Sequence, residues 1–178
     1  AKVTGKVGVG IATSGPGGMN LVTPLGNCFY DSIPCLFITG QINSMFLRPD
    51  PSIRQVGFQE TDIVGIAAPL TKYAKMVVDP KSIKYELEKA LFLAKEGRPG
   101  PVLMDIPLDV QKAEVDPDDL YGFDVTAAAK IYDTVLVDEK IDQYFKDLSV
   151  AERPVLMVGN GVRLAGAVSE IGTLAELL

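Results

Sequence analysis

Short apolar runs alternate with amphipathic stretches along this chain, and that alternation confines it to a narrow set of folds. VGVGIA (7–12) reads as a buried strand, GMNLVTPLGNCFYD (18–31) as a helix of small and apolar residues, and PCLFITG (34–40) as the next strand. Strand, helix and strand in that order make a βαβ unit, whose crossover helix returns the chain to a parallel neighbour. YAKMVV (73–78) supplies a third strand. Asp79-Pro80 then sets a capping residue and a first-turn proline ahead of a helix over 81–96, where Ile83, Leu87, Ala90, Leu91 and Ala94 share one face. Gly97 stops that helix, and RPGPVLMDIP delivers a fourth strand at 102–107. The expected fold class is α/β, a mostly parallel sheet with helices on both faces.

Between the second and third strands, residues 41–61 form a long polar segment with Pro49, Pro51, Arg48 and Arg54. A loop of that length inside a compact domain is more often functional than idle, so it is the first candidate for a lid or substrate wall. From Leu108 to about Asp133 the sequence turns acidic and irregular, with DPDDLYGFD at its centre, and this shift marks a domain boundary. A second α/β unit follows: a helix at 137–148, a strand in RPVLMVGNG and a helix from about Ala165. One strand cannot close a sheet of its own, so the chain reads as part of something longer.

With 23 acidic against 17 basic residues and no block of Lys or Arg, the chain carries no electrostatic footprint for nucleic acid or an anionic membrane. Its longest apolar stretches fall far short of the ~20 residues needed to cross a bilayer, and AKVTGK has no signal-peptide core, which makes the cytoplasm the expected location. Cys28 and Cys35 fit neither a disulfide framework nor a zinc pattern and read as buried free thiols. The sequence contains no histidine, which excludes Ser-His and Cys-His dyads and the commonest metal ligand. Any chemistry must come from carboxylates, amides, lysines or a cofactor.

The stretch Thr13–Asn20, TSGPGGMN, is the candidate site signal. It is either an ordinary tight strand-to-helix turn or one kept small so that something flat or anionic can approach the backbone. The dinucleotide fingerprint fails, because GVGIAT places Thr13 where a third glycine is required. The phosphate-loop reading also fails, because Gly5-Lys6 is followed by Val7 and then a strand. What remains is a turn in which Gly15, Gly17 and Gly18 lack side chains and Pro16 stiffens the corner.

TSGPGGMN, ITGQ (38–41), GFQETD (57–62), LTKYA (70–74) and GRPGPVLMDIPLDVQ (97–111) occur in one order with sensible spacing. Together they resemble the thiamine-diphosphate enzymes of the acetolactate synthase type. The likeness covers residues 1–111 as the pyrimidine-binding domain, followed by a linker at 112–133. Residues 134–178, with RPVLMVGNGVR, resemble the start of the family's central domain. The resemblance implies that Gly15 and Pro16 line the aminopyrimidine ring and that Asn20 bonds its polar edge, unless that amide is satisfied by its own backbone. It assigns Gln41, Phe58, Gln59 and Lys72 to the substrate loop and its surroundings, and makes Gln59 the candidate catalytic residue of this segment. A core-anchoring Phe58 and a solvated Lys72 or Gln41 are the structural alternatives.

The resemblance also implies what these residues do not include. The family's catalytic glutamate would lie about a dozen residues before Ala1. Magnesium and the diphosphate would be held by a GDG-type motif on a pyrophosphate-binding domain of a second subunit, in a homodimer or homotetramer, and the sequence has no GDG. Asp105 and Asp109 read as a strand-end and a loop carboxylate rather than as ligands, and Arg98 as structural. The implied activity is decarboxylation of a 2-oxo acid with carbon–carbon bond formation; FAD is compatible with it, and no residue indicates one. The alternatives are a 2-oxo acid decarboxylase on the same scaffold, or a non-catalytic module for assembly or regulation.

Overall fold

The computed structural model describes residues 1–128 and 135–178. The chain divides into two compact units, Ala1–Ala129 and Lys130–Leu178. The last part of the expected linker, 129–133, and residue 134 lie outside the described residues.

The first unit runs β1 (Gly8–Ala12), α1 (Pro16–Met19), α2 (Val22–Tyr30), β2 (Cys35–Gln41), α3 (Ile63–Ala67), β3 (Tyr73–Met76), α4 (Ile83–Lys95), β4 (Pro101–Pro107), α5 (Leu108–Lys112) and α6 (Val125–Ala128). The four strands form one sheet in the order β1-β2-β4-β3, and every pairing is parallel. From β1 to β2 to β3 the chain steps across the sheet in one direction, and from β3 to β4 it steps back. Crossovers of one hand therefore put α2 and α3 on one face and α4 on the other. The two cores match this arrangement. Leu25, Phe37, Ile63, Ala67 and Leu103 pack beneath α2 and α3. Leu36, Val77, Ala90, Ala94, Val102 and Met104 pack beneath α4. Neighbours such as Leu36 and Phe37 divide between the faces because strand side chains alternate.

Three sequence expectations for this unit are corrected. β1 is an edge strand rather than a buried one: Val9 and Ile11 are 63% and 75% exposed, while Gly8 and Gly10 turn inward over Cys35 and Phe37. The expected helix 18–31 is split, with Asn20 at the break. Restarting at Val22 places Pro24 in a first turn, where its missing N–H breaks no helical hydrogen bond. Cys28 and Cys35 are free but half-buried.

The acidic stretch after α5 packs on α4. The rings of Tyr121 and Phe123 lie 5.5 Å from that of Tyr85, and the Phe123 N–H donates to Glu88 at 2.7 Å. In the second unit α7 (Val135–Val150), α8 (Asn160–Leu164) and α9 (Val168–Leu177) are helical. The strand expected in RPVLMVGNG is absent, and Val155 and Met157 are 91% and 94% exposed. An extended segment counts as a strand only when a neighbour takes its hydrogen bonds, and the described residues of this unit offer none.

Candidate functional site

In a parallel sheet of this kind, ligands bind beyond the carboxyl ends of the strands, and there β2 ends in Gln41. Thr39 and Asp105 are register partners on β2 and β4, and both are fully buried. Thr39 Oγ1 donates to Asp105 Oδ1 at 2.7 Å. The Gln41 Nε2 group donates to Asp105 Oδ2 at 2.9 Å and to the Thr61 carbonyl at 2.8 Å, and Gln41 Oε1 accepts the Ile42 N–H at 2.9 Å. Both amide hydrogens and the amide oxygen are thus engaged within the chain. Gln41, 5% exposed, ties the end of the long loop to the sheet. Burial pushes the Asp105 carboxyl above the usual carboxylate range, against the pull of the Thr39 and Gln41 hydrogen bonds.

The loop has a second carboxylate at its centre. Glu60, 7% exposed, accepts the backbone N–H of Arg48 at 2.6 Å on Oε1, and on Oε2 those of Val56 at 2.8 Å and Gly57 at 3.4 Å. Burial pushes this carboxyl up, but the three N–H groups and the Arg48 charge outweigh it and hold Glu60 below its ordinary value. Arg48 donates to the Ile53 carbonyl and pairs with Asp62 at 3.3 Å, while Asp62 caps α3 through the Gly65 N–H. Arg48, Glu60 and Asp62 line a cleft of about 270 Å³ together with Gln41, Leu47, Thr61 and Met76. At the far end of the loop, Ser44 donates from its N–H and hydroxyl to Asp109 of α5.

These ties bring the loop onto the glycine turn. Gly15 has φ +60, and a Cβ there would lie 2.8 Å from Gln59 Cβ and 2.9 Å from the Gln59 carbonyl oxygen. What approaches the bare backbone of Gly15 is therefore Gln59, itself left-handed at φ 62. Gly17 and Gly18 are likewise backed by Thr13 and Thr39. The exposed part of the turn is carried by Pro16 and Asn20, and among the described residues no side-chain partner for Asn20 is found. Phe58 is 85% exposed, so it does not anchor the loop to the core.

The structure brings Gly15, Gln41, Phe58 and Gln59 to one end of the sheet, with Pro16 and Asn20 on the same turn. Lys72 is not among them. Its N–H donates to the Pro101 carbonyl at the first residue of β4, its ammonium to the Glu96 carbonyl, and its stem lies over Gly100. That is the opposite end of the sheet, roughly 20 Å from Gln41 at ~3.3 Å per strand residue. Arg98 donates from Nε to Ser32 Oγ at 2.7 Å, a structural contact at that same end. Among the described residues, no group of three or more His, Cys, Asp or Glu side chains is arranged to hold a metal ion.

Sequence reasoning missed two parts of this site. The Glu60 knot is invisible because its donors are backbone N–H groups, which residue types do not label. The Asp105 network did leave a signal: an Asp inside VLMDIP needs donors, and Thr39 and Gln41, two apart on one face of the neighbouring strand, are polar residues able to supply them.

Residues 1–66 match the family described as thiamine pyrophosphate enzyme, N-terminal TPP binding domain. More particularly, the chain is 45% identical over 181 residues to the acetolactate synthase large subunit of Corynebacterium glutamicum, covering 99% of this chain and 27% of that protein. It is 42% identical over 176 residues to the acetolactate synthase of Arthrospira platensis, with 99% and 29% covered. With the large subunit of Lactococcus lactis it shares 39% over 181 residues, again with 99% and 29% covered. The resemblance read from the five motifs is borne out and extends over nearly the whole chain. The chain spans 27–29% of the length of these relatives. No helix among the described residues is long and apolar enough to cross a membrane, and two further relatives, from Arabidopsis thaliana and Zea mays, are named as chloroplastic.

Proposed function

We propose that the chain is the pyrimidine-binding part, with the start of the central domain, of a thiamine-diphosphate enzyme acting on 2-oxo acids as acetolactate synthases do. One 2-oxo acid is decarboxylated and its remainder is joined to a second. The observation that carries this reading is the 45% identity to an acetolactate synthase across 99% of the chain. The site geometry supports it, because the loop 41–61 is clamped so that Gln59 seats on the TSGPGG turn. On this reading residues 1–111 are the pyrimidine domain, 112–133 the linker and 134–178 the beginning of the central domain.

When bound, thiamine diphosphate supplies the carbon nucleophile and the electron sink for decarboxylation. The chain's own residues fit its aminopyrimidine end: Pro16 offers a flat apolar surface, Asn20 a free amide, and Gly15 holds the turn against Gln59. Phe58 and Gln59 overhang the reacting region, where the exposed ring excludes water and Gln59 is the residue proposed to touch substrate. Gln41 acts as the tie that fixes the loop, since its amide has no hydrogen to spare. Lys72 is left out of the site by its place at the other sheet end. We assign the diphosphate and magnesium to a pyrophosphate-binding domain of a second subunit in a cytoplasmic homo-oligomer.

The test is product analysis on the protein that carries this segment in its full-length context, supplied with thiamine diphosphate, magnesium and a 2-oxo acid. A carbon skeleton longer than the substrate's decarboxylated remainder is expected. An aldehyde as sole product would assign a decarboxylase, and no turnover with cofactor bound would assign a non-catalytic module.

A further inference from the structure

Cys28, on α2, and Cys35, the first residue of β2, meet across the α2–β2 turn with their sulfurs 3.5 Å apart. Both are half-buried. Each is held by a fixed frame. Cys35 is the register partner of Gly8, and a Cβ on Gly8 would stand 2.9 Å from the Cys35 sulfur, so the sulfur occupies space that the glycine leaves open. Cys28 packs on the same core as Leu25 and Phe37. The turn between them is pinned in turn: the Ile33 N–H donates to the Cys28 carbonyl at 2.8 Å, Ser32 is held at φ 56, and Arg98 donates to the Ser32 hydroxyl. Two half-buried thiols on separate elements, with their sulfurs in contact, are placed for thiol–disulfide exchange.

We propose that Cys28 and Cys35 are an oxidisable dithiol that reacts with a low-molecular-weight disulfide of the oxidised-glutathione kind and closes an internal disulfide, tying α2 to β2. Cys35, as its thiolate, attacks one sulfur of the small disulfide; a bond forms between Cys35 and glutathione, and one glutathione thiolate departs and takes up a proton. Cys28 then attacks the Cys35 sulfur, its proton passing to the second departing glutathione. Two protein thiols are oxidised, and one disulfide is reduced to two thiols. Burial, and next the hydrogen bond to Cys35, push the Cys28 thiol up from its ordinary value, which favours Cys35 as the first nucleophile.

The chain is equilibrated with reduced and oxidised glutathione, quenched with acid and weighed by intact mass spectrometry, once folded and once unfolded in urea. The folded chain is expected to lose two hydrogens without retaining glutathione. Its disulfide-to-dithiol ratio at fixed glutathione poise should be roughly tenfold or more above that of the unfolded chain, because the fold holds the sulfurs together. Cys28→Ser is expected to trap glutathione on Cys35, and Cys35→Ser to take up glutathione on Cys28 more slowly than Cys28→Ser does on Cys35. A ratio no higher in the folded chain, a persistent glutathione adduct on the unsubstituted chain, or a covalent dimer would each overturn the proposal.

Discussion

Asp105 and Glu60 are both carboxylates sunk in the first unit, yet their protonation is pushed in opposite directions. The difference lies in who donates. Asp105 sits inside the sheet and meets two side chains, a hydroxyl and an amide, each of which can present either a donor or an acceptor. Glu60 gathers three backbone N–H groups that can only donate, with a guanidinium nearby. At Asp105 desolvation, helped by the Asp62 charge, exceeds two side-chain hydrogen bonds, whereas at Glu60 three N–H bonds and the Arg48 charge exceed desolvation. Asp105 therefore serves as a strut between strands, and Glu60 as an anionic centre around which a loop is wound.

The largest effect tests the strut. Asp105→Ala is expected to cost about 2–4 kcal/mol in urea unfolding, because it strands two buried donors and opens a cavity between β2 and β4. Asp105→Asn should stay within about 1 kcal/mol of the parent: its amide can face Thr39, whose hydroxyl turns to accept, and its carbonyl can face Gln41. A large cost for Asp105→Asn would mean that the charge itself is required.

Glu60 should answer in the opposite pattern. Glu60→Ala is expected to cost about 2 kcal/mol, read as faster hydrogen exchange at the Arg48, Val56 and Gly57 amides while Leu103 and Met104 in the sheet keep their protection. Glu60→Gln cannot escape as Asp105→Asn does, because either orientation of the new amide sets its NH₂ against a backbone N–H. It is expected to cost more than Asp105→Asn, by about 1 kcal/mol. Equal costs for the two amide substitutions would break the comparison.

The pH dependence separates the two without changing shape. Glu60 is depressed in the fold, so in the window between its folded and unfolded values the unfolded chain binds more protons, and its contribution is lost as pH falls through the folded value. Asp105 is raised, so in its own window, above the ordinary carboxylate value, the folded chain binds more protons and stability falls as pH rises. Urea midpoints against pH should show Asp105→Asn flattening the decline above the carboxylate range and Glu60→Gln flattening the loss at acid pH. A single slope altered by both substitutions would mean that the two sites titrate together.

The same contrast explains what could be read from residues alone. Strands β2 and β4 were legible because both faces are covered and their apolar runs say so, and α4 because its apolar spacing and its Asp79-Pro80 start are local. The edge position of β1 was not, since VGVGIA reads as buried whether or not a helix covers Val9 and Ile11. RPVLMVGNG failed for a related reason: a strand is a pairing, and composition does not supply the partner. At the site, the glycine turn and the loop over it were legible as motifs, and their contact was not, because the approach of Gln59 to Gly15 is set by Glu60, Gln41 and Asp105 acting across the register of the sheet.

That contact supplies the smallest and sharpest test. Gln59 is held at φ 62, a conformation that costs an ordinary residue about 1–2 kcal/mol and glycine almost nothing. Glycine in turn loses about 0.5–1 kcal/mol more backbone entropy on folding, so Gln59→Gly should shift stability by only about 0.5 kcal/mol, in the stabilising direction. If the loop is wound by Glu60, the exchange rates at Arg48, Val56 and Gly57 will not change, because the anchor does not need the Gln59 side chain. Faster exchange at those amides, or a loss above about 1 kcal/mol, would show that the side chain itself helps seat the loop on Gly15. In that case the anchoring would be shared between Glu60 and Gln59, and the residue proposed to reach substrate would also be one that shapes the turn beneath it.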